Sequence, residues 1–216
     1  MARTHPFDTH SDEYELWFDR NQNVFQSELN ALRNVFPAAG RGVEIGVGSG
    51  IFAEPLGIPE GIEPSAPMRN RAKQRNIKAI NGIAESLPYP DKSLDFAVMI
   101  TTICFVDDVY QSMYEVHRVL KDGGSLIIGF VDKDSTVGRE YLAHKEESIF
   151  YREAVFYGTE ELYGILDDTG FIIEKTNQTV FGKLDEVNEV QDVLEGYGQG
   201  SFVVIKASKR TTGADW

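Results

Sequence analysis

The chain has 216 residues, of which 42% are hydrophobic and 25% charged, as in a globular protein with a sizeable core. Its 34 acidic and 21 basic residues give a formal net charge of −13, and so negative a surface repels phosphate backbones, which argues against a nucleic-acid partner. The single cysteine, Cys104, excludes an intrachain disulfide and a thiolate zinc cluster, and no metal site is predicted.

The amino-terminal segment is polar and lacks the apolar region of a signal peptide. No apolar run reaches the length of about 18 residues that a membrane span needs. These features predict a cytoplasmic protein without a membrane span. The first predicted element is one helix over 11–35, a stretch without Gly or Pro whose apolar residues recur at mostly helical spacing.

From residue 41 onward, predicted strands and helices alternate. This alternation is typical of an α/β fold in which right-handed crossovers join parallel strands. Within the first helix of the series, Ser65 is the expected cap, and Arg69, Arg71, Lys73 and Arg75 are interpreted as the solvated face. The predicted strands are 42–46, 61–63, 78–81, 94–100 and 125–131, and the predicted helices are 64–76 and 109–120.

The remainder of the chain follows another pattern. Residues 132–157 are polar and aromatic without a clean period. A helix over 159–168, capped by Thr159 and closed by Gly170, precedes two β-rich segments at 171–181 and 201–207. Two strands joined so late in the chain predict an antiparallel hairpin at one sheet edge.

A glycine-rich turn follows the first predicted strand. Gly46, Gly48 and Gly50 stand where the chain must bend sharply and where a ligand can approach the backbone without meeting a Cβ. The helix expected next would present its N–H groups to a carboxylate or a phosphate. A dinucleotide fingerprint needs a third glycine at the position of Ile51, so this spacing disfavours NAD.

Two acids flank the turn. Glu44 precedes it, and a carboxylate buried at a strand end needs a positive or hydrogen-bonding partner. The ammonium of an amino-acid-like ligand supplies such a partner, whereas pyrophosphate does not. Glu63 ends the second predicted strand, where an acid accepts hydrogen bonds from both ribose hydroxyls of an adenosine. An NAD-dependent oxidoreductase is therefore the less favoured alternative.

Four segments resemble, in order and spacing, the motifs of class I S-adenosylmethionine methyltransferases, in particular the group related to the ubiquinone and menaquinone methyltransferases. The resemblance covers roughly 41–131. It implies a Rossmann-like, doubly wound, mostly parallel seven-stranded sheet with an antiparallel edge hairpin at the C-terminal end. It also implies an enzyme that uses S-adenosyl-L-methionine and releases S-adenosyl-L-homocysteine. The four segments are VEIGVGSG (43–50), GIEPSAPM (61–68), GIAESLPYPDKSLDFAVM (82–99) and EVHRVLKDGGSLIIGF (115–130).

The resemblance also implies roles for individual residues. Glu44 and the three glycines would hold the methionine end of the cofactor, and Glu63 would hold its ribose. Family members often carry an acid where this chain has Ile83, so adenine recognition is expected to rest on backbone groups and Glu85. The other implied contacts are Pro64 and Met68 near the adenine, Ala84 and Glu85 at its edge, and Ile100, Thr101 and Thr102 on the sulfonium side.

One methyltransferase domain over 1–216 is expected. Its predicted parts are an N-terminal helical lid (1–40), a cofactor-binding core (41–131), a substrate-side insert (132–157), a C-terminal helix and strands (158–208) and a tail (209–216).

Methyl transfer from a sulfonium needs an in-line nucleophile and the exclusion of water, so no universal catalytic residue is expected. Tyr14 and His144 are candidate bases for an acceptor that arrives protonated. The motifs leave open the acceptor and the choice among O-, N-, C- and S-methylation. A non-catalytic protein that binds S-adenosylmethionine as a signal is an alternative on the same fold. The residues predicted to surround a small-molecule acceptor with an aromatic or apolar part are Tyr14, Trp17, Phe18, Tyr141 and Tyr151.

Overall fold

The computed structural model describes residues 4–211 of the chain. The strands are β1 (Gly42–Ile45), β2 (Glu60–Ile62), β3 (Lys78–Ile80), β4 (Leu94–Ile100), β5 (Leu120–Val131), β6 (Phe171–Thr179), β7 (Leu194–Glu195) and β8 (Phe202–Lys209). The helices are α1 (His5–Thr9), α2 (Ser11–Arg20), α3 (Gln22–Arg33), α4 (Ala53–Leu56), α5 (Ala66–Gln74), α6 (Val109–Val119), α7 (Thr136–Ala143) and α8 (Thr159–Asp168).

The strands of this range form one sheet in the order β3-β2-β1-β4-β5-β8-β6-β7. The first five are parallel, and β8, β6 and β7 pair antiparallel. The predicted α/β class and the antiparallel C-terminal strands are confirmed. The sheet has eight strands rather than the predicted seven because the two residues of β7 pair with β6. The strand order reverses between β1 and β4, and such a switch point is where open α/β sheets bind ligands.

Apolar side chains cover both faces of the sheet, as expected for parallel strands. Along β4, Met99 packs in the core under α6 and α8, whereas Val98 packs in the core under α3 and α5. None of the helices in the described range has the length and hydrophobicity that a bilayer crossing requires.

The predicted helix over 11–35 is wrong as a single element, because it breaks into α2 and α3 at Asn21. The backbone of Asn21 leaves the helical region (φ −118°, ψ 43°), and its side-chain amide donates to the Trp17 carbonyl at 2.8 Å. On either side of the break, Phe18 and Phe25 both pack on Phe52, with ring centroids 5.6 and 5.1 Å away. The break therefore seats both helices against the segment that follows the glycine turn.

The interpretation of the α5 arginines as a solvated face is also wrong for those that meet α2. Arg71 pairs with Asp12, and Nη2 of Arg75 lies 2.6 Å from the Glu15 carboxylate. Both acids belong to α2, so these ion pairs hold the amino-terminal helices against α5. The cap on α5 is as predicted, since the Ser65 hydroxyl accepts the Met68 N–H at 3.4 Å.

Two expectations about helix ends are corrected. The helix after the glycine turn, α4, has only four residues because Gly57 ends it in the left-handed region (φ 70°). One turn has too few aligned peptides for the dipole that a seated anion would need. At α8 the cap residue is Gly158 rather than Thr159, because the Thr159 hydroxyl instead donates to the buried Asp132 carboxylate at 2.5 Å.

The insert over 132–157 contains α7 and a short 3₁₀ turn at Lys145–Glu147. At the other end, β8 continues through Lys209, one residue into the predicted tail. Residues 212–216 of that tail lie outside the described residues.

Candidate functional site

A cavity of about 370 Å³ opens at the carboxyl ends of β1, β2 and β4. Its size lies within the range of small-molecule sites, which is roughly 300–1,000 Å³. The amino-terminal helices and the 132–157 insert line its other sides. The predicted cofactor residues that line it are Gly46, Gly48, Glu63, Pro64, Met68, Ala84, Glu85, Ile100, Thr101 and Thr102.

Glu63 stands at the tip of β2 and contacts the glycine turn directly. One carboxylate oxygen accepts the Gly48 N–H at 2.9 Å, and the other accepts the Ser65 N–H at 2.7 Å. Burial raises the pKa of Glu63 to about 7, although both N–H donors act to lower it. Each oxygen keeps a lone pair for a further donor, so this carboxylate can still receive hydroxyl groups from the cavity.

Glu44 lies in β1, outside the cavity lining. Its side chain is 2% exposed, and its Oε2 atom has no hydrogen-bond partner among the described residues. Burial raises the pKa of Glu44 well above its ordinary value, and the nearby Glu63 charge raises it further. An unsatisfied buried carboxylate costs several kcal/mol. No described residue supplies the cation or donor that would satisfy this carboxylate.

The three glycines are required for different reasons. A Cβ on Gly46 would lie 2.3 Å from the Thr102 side chain, so close packing excludes it. A Cβ on Gly50 would lie 2.4 Å from Ile77, and Gly50 is not among the cavity-lining residues. Of the three, only Gly48 could carry a Cβ without a clash, because the nearest atoms, Met68 Cε and the Tyr14 hydroxyl, would lie 3.7 Å away. The missing side chain at Gly48 therefore leaves space for a ligand, whereas the missing side chain at Gly50 permits close packing of the core.

The end of β4 has an unusual backbone. Thr101 has a φ of 51°, a left-handed conformation that a β-branched residue rarely adopts, and its N–H donates to the Gly129 carbonyl at 2.7 Å. The next hydroxyl, on Thr102, donates to the Ile100 carbonyl at 3.0 Å. This bend turns the chain across the cavity floor beside Gly46.

Glu85 lines the cavity, but its carboxylate already accepts hydrogen bonds from the backbone of the chain. One oxygen accepts the Asp107 N–H at 2.7 Å and the Asp108 N–H at 3.2 Å. Glu85 therefore fixes the segment that leads into α6. Ile83, where the family often has an acid, also lines the cavity and is 37% exposed.

The five residues predicted to surround an acceptor all line the same cavity. Tyr141 and Tyr151 stack with ring centroids 4.7 Å apart. On the other wall, Tyr14 packs edge-to-face on Phe18 at 5.1 Å, and Phe18 packs the same way on Trp17 at 5.0 Å. The structure thus brings α2 and the insert together over the strand ends.

The two candidate bases differ in environment. His144 lines the cavity with its side chain 66% exposed, and its Nδ1 lies 3.6 Å from Glu147. Burial raises the pKa of the Tyr14 phenol far above its ordinary value, and the Glu44 charge raises it further. A phenol with so high a pKa stays protonated, so Tyr14 is a hydrogen-bond donor rather than a base at neutral pH.

Several cavity residues were not among the predicted site residues, and four of them stand out. Three are aromatic: Phe7 packs on Phe105 at 5.0 Å and on Phe150 at 5.6 Å and so links α1 to both segments. The fourth is Glu28, which is 6% exposed on α3. Glu28 follows Phe25 by three residues and so shares the apolar face of its helix. A charged residue on an apolar face was the signal that could have identified it.

Comparisons with known proteins agree with this geometry. A family model described as a methyltransferase domain matches residues 43–128. A crystal structure from Thermotoga maritima, described as an S-adenosylmethionine-dependent methyltransferase and possible histamine N-methyltransferase, superposes with a TM-score of 0.93. It is 48% identical in sequence and covers 96% of this chain and 100% of its own.

Two curated relatives extend the similarity. An uncharacterised protein of Methanocaldococcus jannaschii is 42% identical over 203 residues, which are 94% of this chain and 98% of that protein. A demethylmenaquinone methyltransferase of Staphylococcus aureus is 27% identical over 142 residues, which are 55% of this chain and 59% of that enzyme. The chain therefore belongs to the class I S-adenosylmethionine-dependent methyltransferases and is an enzyme that uses this cofactor.

Proposed function

We propose that the protein transfers the methyl group of S-adenosylmethionine to a small-molecule acceptor. In this proposal the strand ends hold the cofactor, and the aromatic side of the cavity holds the acceptor. The observation that carries the proposal is that one continuous cavity joins the glycine turn to aromatic residues of α2 and the insert. Donor and acceptor sites that share one cavity allow the in-line approach that methyl transfer needs.

Two acids fit the two ends of such a cofactor. Glu44 is a buried carboxylate that lacks a partner in the described chain, which suits the ammonium of a methionine moiety directly or through water. Glu63 faces the cavity with lone pairs to spare, which suits the two hydroxyls of a ribose. Gly48 presents bare backbone between them. The remaining contacts are assigned as the motifs imply, with Pro64 and Met68 near the adenine.

When bound, the cofactor supplies an activated methyl group, so the protein need only bind, orient and exclude water. We assign the exclusion of water to the lid, defined here as α1–α3. Ion pairs to α5 and aromatic contacts with the insert hold the lid in place. Thr101 and Thr102 form the floor opposite the lid, where an acceptor atom would approach.

The acceptor is proposed to be small and partly aromatic. The stacked pair Tyr141 and Tyr151 and the indole of Trp17 line the cavity and provide flat apolar surfaces for a ring. The description of the Thermotoga relative names histamine, a small aromatic amine, as its possible acceptor. We propose the same division of the chain as the sequence suggests: lid segment 1–40, cofactor-binding core 41–131, insert 132–157 and C-terminal elements 158–208.

A ligand panel tests the proposal. Thermal shift with S-adenosylmethionine, S-adenosylhomocysteine, NAD and NADP should show stabilisation by the first two only, and a shift by NAD instead would contradict it. Incubation with a methyl-labelled donor and a metabolite extract should then yield a labelled small molecule. Binding without any labelled product across several extracts would favour the regulatory alternative.

A further inference from the structure

Glu28 is a buried acid that the cofactor assignment does not use. Its side chain is 6% exposed, lines the cavity, and has no hydrogen-bond or ion-pair partner among the described residues. Two other acids of similar burial differ: Glu63 and Asp132 both accept backbone N–H groups. Burial alone raises the pKa of Glu28 to about 8. A carboxylate left unpaired in such a place is costly unless a ligand satisfies it.

Aromatic residues line the same cavity as this carboxylate. Glu28 shares the lining of one cavity with the side chains of Tyr14, Trp17, Tyr141 and Tyr151. Ring faces attract cations, by about 0.5–2 kcal/mol per ring. An acid among aromatic rings is therefore suited to an organic cation whose apolar part packs on the same rings.

The charges of the cavity also favour a cationic ligand. Of the described residues that line it, five are Asp or Glu and none is Lys or Arg. Two of the five, Glu63 and Glu85, already accept backbone N–H groups. An anionic acceptor would meet repulsion throughout this cavity, whereas a cation would be attracted into it.

We propose that Glu28 binds the ammonium group of a cationic amine acceptor, whose apolar portion lies between Trp17 and the stacked pair Tyr141 and Tyr151. This inference rests on the proposed function, because it names the class of acceptor for the same cavity. Glu28 acts here as a specificity-determining residue that distinguishes charged amines from neutral molecules of equal shape.

The test compares amines with neutral analogues of the same shape in the protein loaded with S-adenosylhomocysteine. The probes are phenethylamine against 2-phenylethanol and histamine against 4-(2-hydroxyethyl)imidazole, measured by titration calorimetry. The variant is Glu28→Gln, which keeps the shape and removes the charge. The control is Glu13→Gln, because Glu13 lines the same cavity with its side chain 55% exposed.

Wild-type protein should bind at least one amine about tenfold more tightly than its neutral analogue. Glu28→Gln should lose that preference, and Glu13→Gln should keep it. Titration at pH 7 in two buffers of different ionisation enthalpy should also show proton release on amine binding to the wild type and to Glu13→Gln, but not to Glu28→Gln, since a cation displaces the proton of Glu28. A purely structural role for Glu28 would not produce that proton release.

If Glu28→Gln lost affinity for the amine and for its neutral analogue equally, the inference would be overturned. The absence of amine binding by the loaded wild type would also overturn it. Affinity for S-adenosylhomocysteine, measured first, separates the two proposals. If the wild type does not bind S-adenosylhomocysteine, the proposed function fails. If Glu28→Gln binds it normally but still prefers amines, only the assignment of Glu28 fails.

Discussion

The hydroxyl of Tyr14 reaches the glycine turn, where it stands 3.7 Å from the position that a Cβ on Gly48 would occupy. A residue of α2 thus lies next to the one glycine of the turn that could carry a Cβ without a clash. The Glu63 carboxylate accepts the N–H of the same glycine, so the lid, β1 and β2 meet at one peptide. A ligand seated there would contact all three elements at once.

Alanine at Gly48 should weaken cofactor binding and should destabilise the fold less than alanine at Gly50 does. Its φ of 55° costs a side chain about 1–2 kcal/mol, but no atom lies close enough to clash. We expect Gly48→Ala to lose at least tenfold in affinity for S-adenosylhomocysteine by calorimetry. The matched control is Gly50→Ala, whose Cβ would lie 2.4 Å from Ile77 and which should mainly lower the free energy of unfolding. The reverse pattern would mean that Gly50 is the glycine that contacts the ligand.

The two acids beside the turn should respond differently to ligand truncation. Glu44→Gln should weaken S-adenosylhomocysteine about tenfold and leave 5′-methylthioadenosine nearly unchanged, because only the first ligand carries the ammonium; bonds to charged groups contribute about 1.5–3 kcal/mol. Glu63→Ala should weaken both ligands, since both carry the ribose, and well beyond the effect of Glu85→Ala. Equal effects of Glu63→Ala and Glu85→Ala would refute the ribose assignment.

Glu28 should make the unliganded protein less stable as the pH rises. Its folded pKa of about 8 lies above the unfolded value of 4.5, so its stabilising contribution is fully present below pH 4.5 and is lost as the pH rises through 8. The free energies of unfolding of wild type and Glu28→Gln, measured with urea, should therefore diverge between pH 5 and pH 8. The variant should become the more stable of the two by about 3–5 kcal/mol. Glu63 and Glu44 titrate in both proteins, so their contributions cancel in the difference between the two free energies of unfolding. Parallel pH profiles would show that Glu28 is not buried in solution.

Much of the side of the cavity that the strand ends and the glycine turn form could be predicted, because local sequence dictates it. The glycine spacing excludes a dinucleotide fingerprint, and the apolar run of β4 permits only a central strand. Strand-helix alternation then brings the ends of β1, β2 and β4 to one edge, so Glu63 and Thr101 lie at the same cavity.

The aromatic side of the cavity was harder to predict because contacts between distant segments decide it. The break at Asn21 interrupts a stretch with helical periodicity, and what favours it is packing of Phe18 and Phe25 on the same ring. The one-turn α4 likewise depends on Gly57, whose left-handed conformation ends the helix before a dipole develops.

By itself the sequence determined the sheet, the glycine turn and the positions of Glu44 and Glu63, since periodicity and turn chemistry act over a few residues. Only the tertiary structure decided that a Cβ would clash with Ile77 at Gly50 but with nothing at Gly48, and that Glu28 lines the cavity without a partner among the described residues. The physical reason is that burial and pairing of a side chain depend on segments far away in the chain. Local patterns carry no information about which of those segments come into contact.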